Sequence, residues 1–255
     1  MIRRLNIFCF VVLLAAVCTA DDYDYELEVS ETRTWPAGGI SQIEAITKNG
    51  NISVSATQDT IITAEITKSC KGLDQADAEA HIDNVVVEDN VTGGKLTLEA
   101  EMPNNGRSYG ADFDISTPES IYLDLTTTNG NVSLTDMIAG AKLRTTNGNI
   151  TVQNLRGGID GQTTNGSINC DLAVLGATES AVLSTTNGNA TLRLPSDVSA
   201  TFDASTTNGE VAVIGFASVN YSINEPTHKA GTIGSGPGGT ITISSTNGNV
   251  TIRVR

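Results

Sequence analysis

One dipeptide constrains this chain more than any other feature. Asn-Gly recurs at Asn49-Gly50, Asn129-Gly130, Asn147-Gly148, Asn165-Gly166, Asn187-Gly188, Asn208-Gly209 and Asn247-Gly248. From Asn129 onward the steps are 18, 18, 22, 21 and 39 residues. A fixed period of this size marks a repeat architecture, in which each unit buries its apolar face only against its neighbours. Aligned on the Asn, the units agree well beyond the turn. Two residues earlier stands a small hydroxyl: Thr47, Thr127, Thr145, Thr163, Thr185, Thr206 and Ser245. Three residues later come Ile52, Val132, Ile150, Ile168, Ala190, Val211 and Val250; five later come Val54, Leu134, Val152, Cys170, Leu192, Val213 and Ile252. The residues between them are mostly polar. Such period-2 alternation is the signature of a strand with one buried face.

Each unit therefore reads as strand, tight turn, strand. Asn and Gly suit a turn that needs positive φ, and branched side chains suit a pleated surface. Two architectures fit: coils of a solenoid, or antiparallel hairpins with Asn-Gly at their tips. Identity across copies favours the solenoid. Stacked coils set Thr on Thr and Asn on Asn, whereas a hairpin tip faces solvent and has no neighbour to match. The position five before the Asn reads Asp124, Lys142 and Asp160 in consecutive units, an exposed ladder of alternating sign if the coils stack.

The expected fold is all-β: a single-domain β-solenoid, parallel β-helix-like, with one short helix in the N-terminal half. Residues 21–120 are its less regular part, 121–214 its regular repeats, 215–239 an insertion or cap, and 240–255 a closing coil. Residues 73–84 are the helical segment, with Asp74 as N-cap. The 80-residue gap after Asn49 has room for four degenerate coils. The outward Arg253 and Arg255 on the last strand would blunt an exposed edge.

Residues 1–20 read as a signal peptide: Arg3 and Arg4, an apolar run over residues 7–17, then Cys18-Thr19-Ala20 before Asp21. The run is too short to span a bilayer, and no later segment is long enough, so no transmembrane helix is expected in the mature chain. Residues 14–18 also resemble a lipobox that would lipidate Cys18, although Val17 stands where a small residue is wanted. The expected location is exported: periplasmic, cell-surface or secreted.

The net charge is −14, and removing residues 1–20 takes away two arginines and no carboxylate. So acidic a surface argues against nucleic acid and against electrostatic docking on anionic lipid. Cys70 and Cys170 remain; Cys170 replaces an inward apolar residue of the repeat and reads as a buried thiol.

Chemistry is sparse. His81 and His228 stand apart from each other and from any nucleophile motif, and neither zinc, calcium nor phosphate-binding signatures occur. No catalytic residue, metal or other cofactor is expected. Some β-helical proteins cleave acidic polysaccharides, and Asp124 and Asp160, two coils apart, fall within the separation a carboxylate pair needs. Aromatic residues, however, are only 4% of the chain, so a sugar platform is lacking. Ranks such as Thr145-Thr146, Thr163-Thr164 and Thr185-Thr186 raise ice binding, but steps of 22 and 21 are expected to break a flat array.

With these residues in view, the chain resembles the bacterial putative-adhesin family of exported β-solenoid proteins with repeated Thr-x-Asn-Gly turns. The closing stretches Gly231-Thr232-Ile233-Gly234-Ser235-Gly236 and Ile241-Thr242-Ile243-Ser244-Ser245-Thr246-Asn247-Gly248-Asn249-Val250 carry the likeness, which covers roughly residues 30–255. It implies a right-handed solenoid, a surface location and no catalytic residues. The expected function is a non-catalytic adhesion, binding or structural module with an envelope, glycan or protein partner. The alternatives are a polysaccharide-active enzyme and an ice-binding protein.

Overall fold

A computed structural model describes residues 8–9, 25–236 and 238–255. The expected signal segment and Cys18 lie outside them, apart from the strand Phe8–Cys9, which pairs with Glu31 and Thr32. Among the described residues the strands form two eleven-stranded sheets. Every Asn-Gly unit gives one strand to each. The leading sheet takes the strand that ends in Asn, such as Ala141–Asn147; the trailing sheet takes the strand after the turn, such as Ile150–Arg156. Successive strands are parallel and in register, so Thr145 pairs with Thr163, Asn147 with Asn165, and Val132 with Ile150. The chain is a β-solenoid.

The alternation in the sequence produces its core. Leu123, Leu125, Leu143, Leu183, Ile241 and Ile243 from the leading sheet join Ile52, Val132, Ile150, Ile168, Val250 and Ile252 from the trailing sheet in one apolar cluster, each at most 1% exposed. A fully buried side chain of this size contributes about 1.5–3 kcal/mol. The extra residues of the 22- and 21-residue steps lie at 175–179 and 195–199, in the corners opposite Asn-Gly. The leading strands therefore keep register across both steps.

Spatial order differs from chain order at both ends. The trailing sheet runs from Tyr109–Pro118 through Ile52–Thr57, Val132–Thr135, Ile150–Arg156, Ile168–Val174, Ala190–Leu194 and Val250–Val254 to Val211–Ile214. The leading sheet shows the same exchange: Gly239–Asn247 lies between Ser180–Asn187 and Ala200–Asn208. The strand carrying Arg253 is thus interior, and the expectation that it forms an exposed edge is corrected. Residues 219–233 lie at this end of the leading sheet. They form a hairpin, Val219–Asn224 with His228–Ile233, that occupies the far edge of Ala200–Asn208. The long 39-residue step holds this hairpin.

The other end follows the same plan. The gap after Asn49 holds one coil, Lys95–Glu101 with Tyr109–Pro118, instead of four. Its corner is the loop 102–108, where Asn105-Gly106 adopts a different turn with Gly106 at φ 85. Beyond this coil, Ile61–Gly72 and Tyr25–Pro36 extend the trailing sheet antiparallel, and Val86–Thr92 extends the leading sheet likewise. The expected helix over 73–84 shortens to Gln75–Glu79 plus a 3-10 turn Ile82–Asn84, because only Ala78 and Ile82 are buried. Asp74 caps it, accepting from Asp77 N at 2.8 Å.

Candidate binding face

The Asn-Gly edge is built from three hydrogen-bonded ranks. The first is inward. Each hydroxyl two before the Asn donates to a glycine carbonyl of the neighbouring coil: Thr127 to Gly50 O, Thr145 to Gly130 O, Thr163 to Gly148 O, Thr185 to Gly166 O, Ser245 to Gly188 O and Thr206 to Gly248 O, at 2.7–2.9 Å. All six are buried. Thr47 closes the series on Ala111 O.

The second rank is a ladder of carboxamides. Asn129 Nδ2 donates to Asn49 Oδ1, Asn147 to Asn129, Asn165 to Asn147, Asn187 to Asn165, Asn247 to Asn187 and Asn208 to Asn247, at 2.7–2.8 Å. Every amide points the same way, and Asn49 Nδ2 ends the ladder on Tyr109 O. The third rank stands after the glycine. Asn51, Asn131, Asn149, Asn189 and Asn249 accept through Oδ1 from the backbone N–H of the next coil, as Ser167 does through Oγ. In the sequence this rank shows as Asn-Gly-Asn at five of the seven turns.

Four of the seven turn glycines, Gly50, Gly130, Gly188 and Gly248, have the positive φ (151–158) that the turn chemistry suggests, and all seven meet a second demand. Among the described non-glycine residues only Asp136 and Asn154 have positive φ, so none of the turn asparagines does. Gly148, Gly166 and Gly209 also lie outside the left-handed region. Close stacking is what excludes a side chain. A Cβ at Gly130, Gly148 or Gly166 would lie 1.9 Å from the carbonyl oxygen of the glycine below; at Gly50, Gly188, Gly209 and Gly248 the nearest oxygen is at 2.0–2.2 Å.

Outside these ranks, the leading sheet exposes Thr128, Thr146, Thr164, Thr186, Thr207 and Thr246, each one residue before its Asn. A shallow groove of about 340 Å³ runs along this face, lined by Thr126, Thr128, Arg144, Thr146, Gln162 and Thr164 among others. At its margin lies the charged ladder. Lys142 pairs with Asp124 at 2.9 Å, while Asp160 is held by Arg144 rather than by Lys142. Arg144 also donates to Asp160 O at 2.7 Å. Sequence spacing showed the alternating column but missed Arg144, which stands two residues further along the strand.

A second groove, about 540 Å³, lies on the trailing sheet between Asn51, Ser53, Asn131, Ser133, Glu65, Asp112 and Asp114. Among the described residues no three His, Cys, Asp or Glu side chains stand together so as to hold a metal ion. His81 contacts Asp77 and His228 contacts Asp203, far from each other in the chain. Cys70 and Cys170 are buried and unpaired, and burial pushes both thiols up from their ordinary range. No helix among the described residues is long and apolar enough to cross a membrane.

Parallel coils, an inward hydroxyl rank and an amide ladder define a β-solenoid whose turns are bonded rung to rung. The chain belongs to the Toastrack DUF4097 family, whose model matches residues 34–253. The fold is similar to that of a putative cell adhesion protein from Clostridium sporogenes, with 13% identity and a TM-score of 0.53 over 89% of this chain and 100% of that one. A putative adhesin from Bacteroides fragilis aligns at 14% identity and a TM-score of 0.44, over 89% of this chain and 97% of that one. No curated protein matches significantly.

Proposed function

We propose that this protein is a non-catalytic adhesion or binding module of the cell envelope, and that its binding face is the outer side of the leading sheet beside the Asn-Gly edge. The observation that supports this is the unbroken rank of outward threonines over a groove of hydroxyls and amides. The face offers repeated donors and acceptors at one strand spacing, which suits an extended polar partner such as a glycan chain. The putative cell adhesion protein of similar fold agrees with such a role. An exported, surface-exposed location follows from the same reading.

The carboxylates favour binding over hydrolysis. Asp124 and Asp160 are each bonded to a cation of their own sheet, and Lys142 stands between them in the register. Ice binding gains one observation: the longer steps leave the threonine rank intact. Arg144 and Gln162 interrupt the companion rank, which makes a flat hydroxyl lattice incomplete.

The test is a glycan and matrix-protein array probed with the mature chain and with Thr146→Glu/Thr164→Glu. Selective binding lost in the double variant supports the face; equal binding by both places recognition elsewhere. Glycan turnover that disappears in Asp124→Asn/Asp160→Asn would establish the enzyme instead, and thermal hysteresis would establish ice binding.

A further inference from the structure

The coil made by Gly239–Asn247 and Val250–Val254 sits between two coils that precede it in the chain. Its lower neighbour is Ser180–Asn187 with Ala190–Leu194, and its upper neighbour is Ala200–Asn208 with Val211–Ile214. The recognition elements on the two sides are the same. Below, Asn247 donates to Asn187, Ser245 to Gly188 O, and Asn249 N to Asn189 Oδ1. Above, Asn208 donates to Asn247, Thr206 to Gly248 O, and Glu210 N to Asn249 Oδ1. The upper coil therefore presents every group needed to stack directly on the lower one, leaving residues 239–254 to stack last, in chain order.

One element distinguishes the two arrangements. In the observed order the far edge of Ala200–Asn208 is free to take the hairpin, which pairs along it from Ala200↔Ile233 to Ser205↔His228. The hairpin tip adds Thr206 N to Thr227 O at 2.9 Å and Val211 N to Pro226 O at 2.8 Å. Tyr221 stands edge-on to Phe202 at 5.9 Å, and His228 bonds Asp203 at 3.1 Å. In chain order that edge would be covered by Gly239–Asn247 and all of these contacts would be lost. Both orders keep two coil–coil interfaces; only the observed one keeps the hairpin.

We propose that the hairpin 219–233 selects the stacking order of the last two coils, by claiming the strand edge on which the final coil would otherwise settle. The chain-order stack is a competing fold of the same sequence, and the hairpin is the device that excludes it.

Engineered disulfides read the order directly in the full chain. Ser184 Oγ and Ser244 Oγ are 3.1 Å apart, so Ser184→Cys/Ser244→Cys should oxidise within one molecule. Ser205 pairs with Ser244 from the other side. Ser184 and Ser205 are thus two strands apart, about 9.6 Å, and beyond disulfide reach. In the otherwise wild-type chain Ser184→Cys/Ser205→Cys should stay reduced. The hairpin is then broken with Gly231→Val, whose Cβ would lie 2.0 Å from Asn220 O. The 184–205 disulfide should become the major species and the 184–244 disulfide should fall to a minor one. If Gly231→Val fails to fold, Tyr221→Ala leaves the hairpin backbone intact and should still raise the 184–205 fraction. A 184–205 disulfide that stays absent in every folded hairpin variant overturns the proposal, as does one that forms readily with the hairpin intact.

Discussion

A methyl group at Gly148 tests the stacking most directly. The added carbon would lie 1.9 Å from Gly130 O, whereas real contacts of this kind stay above 3.0 Å. The two turns must therefore separate by about 1 Å. Four hydrogen bonds cross the same gap: Thr145 Oγ1 to Gly130 O at 2.9 Å, Asn147 Nδ2 to Asn129 Oδ1 at 2.7 Å, Gly130 N to Asn147 O at 3.0 Å, and Asn149 N to Asn131 Oδ1 at 2.8 Å. An opening of that size takes each beyond effective range. At about 0.5–1.5 kcal/mol apiece, with some relaxation, Gly148→Ala should destabilise by about 2–5 kcal/mol in urea unfolding. Gly38→Ala, where no atom stands within 4 Å, is the control and should change stability by less than about 0.5 kcal/mol. Gly148→Asn separates contact from backbone strain. Asn tolerates left-handed φ better than Ala, so a conformational cause would make Asn the milder change; the contact makes it at least as severe. A Gly148→Ala protein as stable as wild type, or an Asn variant clearly better than Ala, would refute this account.

Other perturbations follow from the same geometry. Thr163→Val leaves Gly148 O without its hydroxyl donor in a buried place and should cost about 1–3 kcal/mol in urea unfolding, whereas Thr164→Val, one residue outward, should stay within about 0.5 kcal/mol. Thr117 is fully buried with its hydroxyl unpartnered, so Thr117→Val should leave the melting temperature unchanged or raise it. Lys142→Asp adds a fourth carboxylate to the column of Glu44, Asp124 and Asp160 and should lower the melting temperature more than Lys142→Gln; equal effects would contradict the register. The Arg107 guanidinium holds the Asp77 carboxyl down to about 2, below its ordinary 3.8. Its folded value is the lower one, so its contribution is complete above 3.8 and fades as pH falls toward 2. The stability difference between wild type and Asp77→Asn should shrink across that window, as followed by urea titration at each pH.

The repeat was legible because stacking imposes the same local demand on every coil. Thr145, Thr163 and Thr185 each meet a glycine carbonyl in the same way, so one residue type recurs at one offset. The reason for Gly148 was misread because a glycine required by a neighbouring backbone looks, in a single sequence, like one required by φ. The order of the last coils was not legible at all. Gly239–Asn247 fits either neighbour equally well, and what decides between them is a hairpin whose own strands carry little alternation. The gap after Asn49 hid its topology for a related reason. Antiparallel pairing of Ile61–Gly72 with Tyr25–Pro36 needs no shared motif, so periodicity leaves no trace of it. Arg144 escaped notice because its partner Asp160 stands diagonally across two strands, an offset that a column-by-column reading passes over.

A pile of like rungs has no intrinsic length, since each rung welcomes the next. Here the one-way run of amide donors finishes on Tyr109 O, and at the other end of the leading sheet the antiparallel hairpin covers the far edge of Ala200–Asn208. On the leading sheet a second molecule therefore meets an antiparallel strand, in place of a matching rung, beyond each terminal coil. The leading sheet is a ruler cut to a set size, its rank of like coils bounded at both ends by strands of another kind.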